Sequence, residues 1–127
     1  MKLHLDNPGI NHRIRACTPD SITIGETRYS ASLVLSSQAL QPDWPPARVA
    51  ELEESHLEAL AELEPEVVLL GTGESMEFPH PALLQSLHRQ RIGVEVMTTP
   101  AACRTFNILA AEDRRVVAAL MINSTAK

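Results

Sequence analysis

Hydrophobic and polar positions form short alternating runs in the first third of the chain. Residues 14–17, 21–24 and 29–35 favour β structure and are separated by turn-forming residues such as Gly25. Within residues 21–24 the alternation puts both isoleucines on one face, which is typical of a strand with one buried side. The pattern therefore predicts a small N-terminal antiparallel β meander.

A proline-rich stretch, residues 41–47, follows this β-rich part. Its three prolines, Pro42, Pro45 and Pro46, fix φ and remove backbone donors, so the stretch is expected to be a stiff connector. Trp44 lies in its middle. We expect the indole to dock onto the core and to hold the connector in place.

The hydrophobic period changes after the connector. An apolar stripe with helical spacing is formed by Val49, Leu52, Leu57, Leu60 and Leu63. Ser55 and Glu58 match a capping box, which predicts a helix over residues 55–63 that Pro65 ends. The continuous apolar run at residues 67–70 is typical of a strand that is covered on both faces.

The same signals predict two more helices and two more strands. In order, these are a helix between Pro81 and a closing Gly93, a strand at residues 94–97, a helix capped by Thr99 and opened by Pro100 that reaches about residue 111, and a strand at residues 115–122. Strands that alternate with helices over short links predict a layered α/β sheet.

Size and composition are those of a single soluble domain. The chain has 127 residues, of which 44% are apolar and 21% charged, and no apolar run approaches the roughly 18 residues that a membrane span needs. We interpret residues 1–127 as one domain. It divides into a β-rich part at 1–40, the connector at 41–47, an α/β part at 48–122 and a tail at 123–127.

The charge is unevenly distributed. The formal net charge is −5 and only 3% of the residues are aromatic, so the chain offers neither the basic stripe nor the stacking platforms that nucleic-acid binding requires. Residues 51–77 hold nine carboxylates and no Lys or Arg. This segment either attracts a basic partner or is an ordinary solvated helix face.

Cysteines and histidines give no sign of a metal centre or a cofactor. Cys17 and Cys103 are far apart in sequence, and none of the usual zinc spacings occurs among the histidines, His4, His12, His56, His80 and His88. The first residues resemble neither a secretory signal nor a transit peptide. These features predict a reduced, cytoplasmic setting and a chain that is bacterial or already processed.

Topology selects two loops as a candidate site, because the loops at the carboxyl ends of parallel strands gather at one edge of a sheet. The first loop contains Gly71, Thr72, Gly73 and Glu74. It lacks the lysine and spacing of a phosphate loop and the third glycine of a dinucleotide fingerprint. A tight chain reversal is its simplest interpretation.

The second loop leads into the last predicted helix and carries Thr98, Thr99, Cys103, Arg104 and Asn107. Asn107 is four residues after Cys103 and shares its helix face. Cys103 is either an activated thiol with polar neighbours or a small apolar residue packed under the helix, with Asn107 as a clasp to a nearby loop. The packing interpretation is favoured, because neither a base nor a resolving cysteine is evident nearby in sequence.

Several blocks of the sequence resemble the family of the mitochondrial complex I assembly factor 3, a domain of unknown function. They are EVVLLGTG at residues 66–73, GVEVM at 93–97, TTPAACRTFNIL at 98–109 and VVAAL at 116–120, supported by YSASLV at 29–34 and by Trp44. The resemblance implies a three-layer α/β domain with a central mixed sheet flanked by helices, and a last strand antiparallel to the others. In relatives Glu-Gly-Arg commonly stands where this chain has Glu112, Asp113 and Arg114, which puts a glycine-dependent turn in doubt.

The resemblance implies an accessory protein rather than an enzyme. The mitochondrial member resembles an assembly chaperone for the respiratory NADH:quinone oxidoreductase, and no catalytic residues are established for the family. The leading hypothesis is therefore a protein that acts by contact with a protein partner in assembly of such a complex. The alternative is a small-molecule-binding or thiol-dependent enzyme that uses the loops at residues 71–73 and 98–107.

Overall fold

The computed structural model describes residues 4–5, 12–18 and 20–123. The strands are β1 His4–Leu5, β2 Ile14–Thr18, β3 Ser21–Ile24, β4 Thr27–Tyr29, β5 Leu33–Leu35, β6 Ala39–Gln41, β7 Val67–Gly71, β8 Gly93–Met97 and β9 Val116–Leu120. The α-helices are α1 Glu54–Ala61, α2 Gln85–Arg89 and α3 Thr99–Ala111, and short 3-10 turns occupy Val49–Glu51 and Pro81–Leu84.

Strands β2, β3 and β4 form the predicted antiparallel meander. The predicted run at residues 29–35 is split, however, because Tyr29 ends β4 and Leu33 begins β5 in a different sheet. Ser32 lies between them, where its carbonyl accepts from the Trp44 amide and its buried hydroxyl accepts from the Ile122 amide. These bonds direct the chain out of the meander and into the central sheet.

The central sheet is mixed, with strand order β1-β6-β5-β9-β7-β8. Strand β7 lies between β8 and β9 and is parallel to both, whereas β9 is antiparallel to β5. The expectation that the last strand opposes the other strands was therefore wrong for β7 and β8. Strand β6 at the end of the β-rich part was not predicted, since Gln41 and Pro42 were assigned to the connector.

Alternate residues of the central strands face opposite layers. In β7, Leu69 packs with α3 and the meander, while Val68 and Leu70 pack with α1 and α2. Every residue of β7 is buried, as predicted for a strand covered on both faces, and every residue of β9 is buried as well. The result is the predicted three-layer α/β arrangement, with helices on both faces of a mixed sheet.

The helix starts differ from the predicted ones by one or two residues. Helix α1 is capped by Glu53 and His56, whose side chains accept from each other's backbone amides, so the predicted Ser55 cap was wrong. Helix α3 is capped by Thr98, and Thr99 is its first helical residue.

The helix predicted between Pro81 and Gly93 is shorter than expected. A 3-10 turn at Pro81–Leu84 precedes α2, which ends at Arg89, and Gly93 is the first residue of β8 rather than a helix stop. Arg91 reverses the chain instead, with φ of 62°. The amides of Arg91 and Ile92 then bond to carbonyls of the last helical turn, which closes the helix without a glycine.

Trp44 docks onto the core as predicted, with 3% of its surface exposed and its ring edge-on to His56 at 5.9 Å between centroids. Of the predicted tail, only Asn123 belongs to the described residues, and the remaining four positions lie outside them. Pro19, a turn-forming residue between the first two predicted strands, also lies outside them.

Candidate functional site

The two loops selected by topology meet at the carboxyl edge of the central sheet. Gly71 ends β7 beside Thr99, where an added Cβ would lie 2.9 Å from the Thr99 hydroxyl oxygen. That hydroxyl donates to the Met121 carbonyl at 2.7 Å and accepts from the Gly73 amide at 2.8 Å. The buried Thr99 side chain therefore joins three chain segments, and its polar atoms are occupied within the protein.

Thr72 and Gly73 complete this junction. The Thr72 hydroxyl donates to the Ser75 carbonyl at 2.7 Å and accepts from the Glu77 amide at 3.1 Å. Gly73 has φ of +100°, and a Cβ there would overlap the Asn123 side chain. The short glycine loop is thus a tight chain reversal that packs against Asn123 and Thr99.

A cleft of about 410 Å³ opens beside the glycine loop. Its lining residues are Arg48, Ala50, Thr72, Ser75, Glu77 and Asn123. Glu74, the remaining predicted residue of this loop, is exposed, and its amide donates to Asn123 Oδ1 at 3.3 Å. Thr98 is occupied as the cap of α3, accepting from the Ala101 amide at 3.3 Å.

Cys103, Arg104 and Asn107 belong to a different place from the glycine loop. They line an open cleft of about 260 Å³ between α3 and the edge strand β2 of the meander. Asn107 clasps the backbone of Ile14: its Oδ1 accepts from the Ile14 amide at 2.9 Å and its Nδ2 donates to the Ile14 carbonyl at 2.8 Å. The structure therefore separates the predicted site residues into two groups.

Cys17 is the residue of this second cleft that the sequence did not point to. It pairs with Ile22, which pairs with Tyr29, and this row faces the core beneath the meander. Cys17 thereby packs against the core cluster that contains Cys103, and the two cysteines line the same cleft. The Cys17 Sγ donates to the Thr18 carbonyl at 3.8 Å. A signal was present, because pairing of residues 14–17 with residues 21–24 across a short turn puts Cys17 beside a buried isoleucine.

The two thiols differ in acidity. The neighbouring Cys103 thiol lowers the pKa of Cys17 to about 7, and the Arg104 guanidinium acts in the same direction against the effect of partial burial. For Cys103 the neighbouring Cys17 thiol and burial raise the pKa. Cys17 is therefore the thiol that ionises first, and a substantial fraction of it is thiolate at neutral pH.

Some carboxylates of the acidic segment, residues 51–77, make local hydrogen bonds, and the others face solvent. Glu66 accepts from the Arg114 side chain and the Arg115 amide, both at 3.0 Å, and these bonds lower its pKa. Glu51 accepts from the Ala47 amide at 2.8 Å. The other carboxylates of this segment are exposed, so the acidic surface of α1 and of the loop at residues 74–80 faces solvent.

Two apolar side chains stand out on the surface next to the glycine loop. Met76 and Phe78 are 54% and 69% exposed, and between and beside them lie the exposed carboxylates Glu77 and Glu74. Ile108, on the outer side of α3, is 59% exposed. Exposed apolar side chains that lie close together, rimmed by polar residues, are a feature of protein contact surfaces.

The described ranges contain no group of three His, Cys, Asp or Glu side chains close enough to hold a metal ion. In the same part of the chain, no helix is long and apolar enough to span a membrane.

Fold and clefts together define a small mixed α/β domain in which a β meander covers one helix and a dithiol lies between them. The sequence matches, over residues 14–121, the family described as a protein of unknown function (DUF498/DUF598), and the chain belongs to that family. The resemblance noted from the sequence blocks is thereby confirmed.

Curated relatives include proteins named as assembly factors of an NADH dehydrogenase. The chain is 38% identical over 99 residues to the zebrafish (Danio rerio) NADH dehydrogenase [ubiquinone] 1 alpha subcomplex assembly factor 3, covering 76% of this chain and 56% of that protein. It is 31% identical over 96 residues to the 13 kDa major membrane protein of Francisella tularensis. That match covers 75% of this chain and 76% of the Francisella protein. The chain thus spans about half the length of the assembly factor.

Solved structures of bacterial proteins share the fold. A Bordetella parapertussis protein matches with a TM-score of 0.85 at 35% identity, over 91% of this chain and 99% of that one. A Bordetella pertussis protein described as a Mth938-like domain matches with a TM-score of 0.79 at 31% identity, over 97% and 93%. The predicted fold class is confirmed.

Proposed function

We propose that this protein is a cytoplasmic accessory factor that assists the assembly of a respiratory NADH dehydrogenase by contact with one of its subunits. The observation that carries the proposal is the 38% identity to a protein named as an assembly factor for that enzyme. That likeness covers 76% of this chain. The separate family match over residues 14–121 includes both loops at the sheet edge.

The loop at residues 74–80 is the surface best suited to such contact. Its base is fixed by the Thr72 hydroxyl, which bonds to the Ser75 carbonyl and the Glu77 amide. Its far end is fixed by His80, whose ring accepts from the Ala82 amide at 3.0 Å. A loop held at both ends presents its apolar side chains at low entropic cost on binding.

The chemistry of this loop indicates the kind of partner surface. Met76 and Phe78 supply apolar area, and Glu74 and Glu77 surround it with negative charge. A complementary surface has an apolar pocket with basic residues at its rim, since rim charges steer encounter and suppress wrong partners. The adjoining acidic surface of α1 extends the attraction for a basic partner.

Capture of partners in the native host tests the proposal. A tagged wild-type protein, expressed in place of the untagged copy, is expected to recover NADH dehydrogenase subunits while the complex is being made. A variant with Met76→Ala and Phe78→Ala should lose that recovery, whereas Ile108→Ala, an equally exposed apolar side chain on α3, should keep it. Recovery of no such subunits by the wild-type protein contradicts the proposal.

Cell fractionation tests the proposed location. The protein is expected in the cytoplasmic fraction, with a share at the membrane only while assembly is in progress. Retention in the membrane fraction after an alkaline wash, independent of the respiratory complex, would contradict a cytoplasmic factor.

A further inference from the structure

Cys17 and Cys103 lie on two elements, β2 and α3, that are joined by one contact. The bidentate clasp between Asn107 and the Ile14 backbone sets the register of α3 against β2. Cys103 lies one helical turn before Asn107, and Cys17 lies three residues beyond Ile14 along the strand. Both cysteines then line the same cleft, on facing elements.

The two thiols differ in access. Cys103 is 3% exposed, whereas Cys17 is partly exposed on β2, an edge strand of the meander. A reagent that enters the cleft therefore reaches the Cys17 sulfur first. Cys103 lies behind it, in the buried cluster against which Cys17 packs.

Two cations border the approach to Cys17. Arg15 and Arg104 both line the cleft, and the Arg15 side chain is held there by a hydrogen bond to the Gly25 carbonyl at 3.0 Å. Positive charge at the rim attracts an anionic reagent and stabilises a thiolate. The cleft, of about 260 Å³, accommodates part of a small molecule in contact with solvent.

We propose that Cys17 and Cys103 are a redox-active dithiol that undergoes thiol–disulfide exchange with an anionic low-molecular-weight disulfide, Cys17 as the attacking sulfur and Cys103 as the resolving one. This activity is independent of the partner contact proposed above, which uses a different surface.

The exchange proceeds in two balanced steps. The Cys17 thiolate attacks one sulfur of the small disulfide, the S–S bond of that molecule breaks, and one small thiolate leaves, which leaves a mixed disulfide on Cys17. Cys103 then loses its proton to that departing thiolate or to water and attacks the Cys17 sulfur, releasing the second small thiolate. The protein has lost two electrons, and one small disulfide has become two small thiols.

The product would join the meander to α3 by a covalent bond beside the Asn107 clasp. The lowered pKa of Cys17 supports the order of attack, because a thiol with a pKa near ambient pH is the most effective nucleophile. The buried Cys103 thiol is suited to resolution, since its only neighbour for reaction is the mixed disulfide on Cys17.

Incubation of the reduced full chain with glutathione disulfide, at neutral pH and low ionic strength, is the direct test. The expected result is loss of both thiols, release of two glutathione molecules per chain, and a monomeric product in which peptides containing Cys17 and Cys103 are linked. A stable mixed disulfide as the end product, or linkage only between chains, would overturn the proposal.

Single variants separate the two roles. In the Cys103→Ser variant the exchange should stop once Cys17 carries one glutathione as a mixed disulfide. In the Cys17→Ser variant Cys103 should stay unmodified while the protein is folded and should react only in denaturant. Circular dichroism and a denaturation curve establish that each variant is folded. Modification of Cys103 in folded Cys17→Ser at the wild-type rate would contradict the assigned order of attack.

The charge of the reagent tests the role of the arginines. Arg104→Ala should slow the reaction with glutathione disulfide about fivefold at low salt and leave the rate with a neutral hydroxyethyl disulfide nearly unchanged. Arg89→Ala, an exposed arginine on α2, is the matched control and should change neither rate. If Arg104→Ala slowed the reaction with both disulfides equally, the effect of Arg104 would be structural, and the case for an anionic substrate would be removed.

Discussion

The side-chain amide of Asn107 takes the place of a strand partner for Ile14. Its Oδ1 and Nδ2 bond to the amide and carbonyl of one residue, at 2.9 and 2.8 Å, so helix α3 satisfies both polar groups at the open edge of the meander. The same contact blocks the pairing of another strand at that position. A single side chain thus fixes the meander on the helix and determines which residues face the cleft.

Asn107→Ala should lower the free energy of unfolding by about 1–3 kcal/mol, because two partly buried backbone groups lose their partner. Asn107→Asp should be destabilising as well, since a carboxylate keeps the acceptor and loses the donor. Chemical denaturation measures both, with Ile108→Ala as the control at an exposed neighbour. A change of less than about 0.5 kcal/mol for Asn107→Ala would show that water replaces the clasp.

Gly73→Ala should be more damaging than Gly25→Ala. Both glycines have positive φ, +100° and +61°, but only at Gly73 would the added Cβ meet another group, the side chain of Asn123. We expect a loss of about 1 kcal/mol at Gly25, from conformation alone, and more than about 2 kcal/mol at Gly73.

A double variant isolates the steric part of that loss. Asn123 is anchored by its Nδ2 on the Ala47 carbonyl and by its Oδ1 on the Glu74 amide, so it cannot simply swing away. With Asn123→Ala in the background, Gly73→Ala should cost less than it does alone, as urea denaturation would report. Strict additivity of the two changes would mean that Asn123 is not what opposes the methyl group.

The central elements could be predicted because their signals are local. Strand β7 is an apolar run between Pro65 and the glycine loop, and parallel β7 and β8 bring their loops together at one edge by topology alone. The cap of α1 was not predicted, since Ser55 and Glu58 match the usual capping-box sequence whereas the observed cap pairs Glu53 with His56.

The Cys17 and Cys103 pair could not be predicted in the same way. Their approach depends on how the meander is placed over α3, which is settled by long-range packing and by the Asn107 clasp to Ile14. Likewise, no local pattern indicates that residues 29–35 divide between two sheets, since Ser32 is fixed by partners from the connector and the last strand.

Alkylation of Cys17 should rise with pH around a midpoint near 7. A thiol reacts as its thiolate, so a pKa lowered from the usual value of about 8.5 shifts the rise in rate to lower pH. The groups that lower this pKa are Cys103 and then Arg104, both on α3, while partial burial opposes them. Arg15 lines the same cleft, and Tyr29 packs against the same core cluster. Mass spectrometry of iodoacetamide-treated protein over a pH series gives the midpoint.

Removal of the Cys103 thiol provides the control for that titration. Cys103→Ala should raise the midpoint for Cys17, because the largest cause of its lowered pKa is lost while burial, which raises the pKa, remains. A wild-type midpoint of about 8.5 or higher would leave no activated thiol in the cleft.

The turn after α3 should accept glycine with a gain in stability. Asp113 has φ of 62°, and the amides of Asp113 and Arg114 bond to the carbonyls of Ala110 and Leu109, so an aspartate occupies the left-handed position that glycine favours. Asp113→Gly should raise the free energy of unfolding by about 0.5–1 kcal/mol. Glu112→Gly, at φ of −93°, should lower it, and equal losses for both in thermal and urea denaturation would contradict this account.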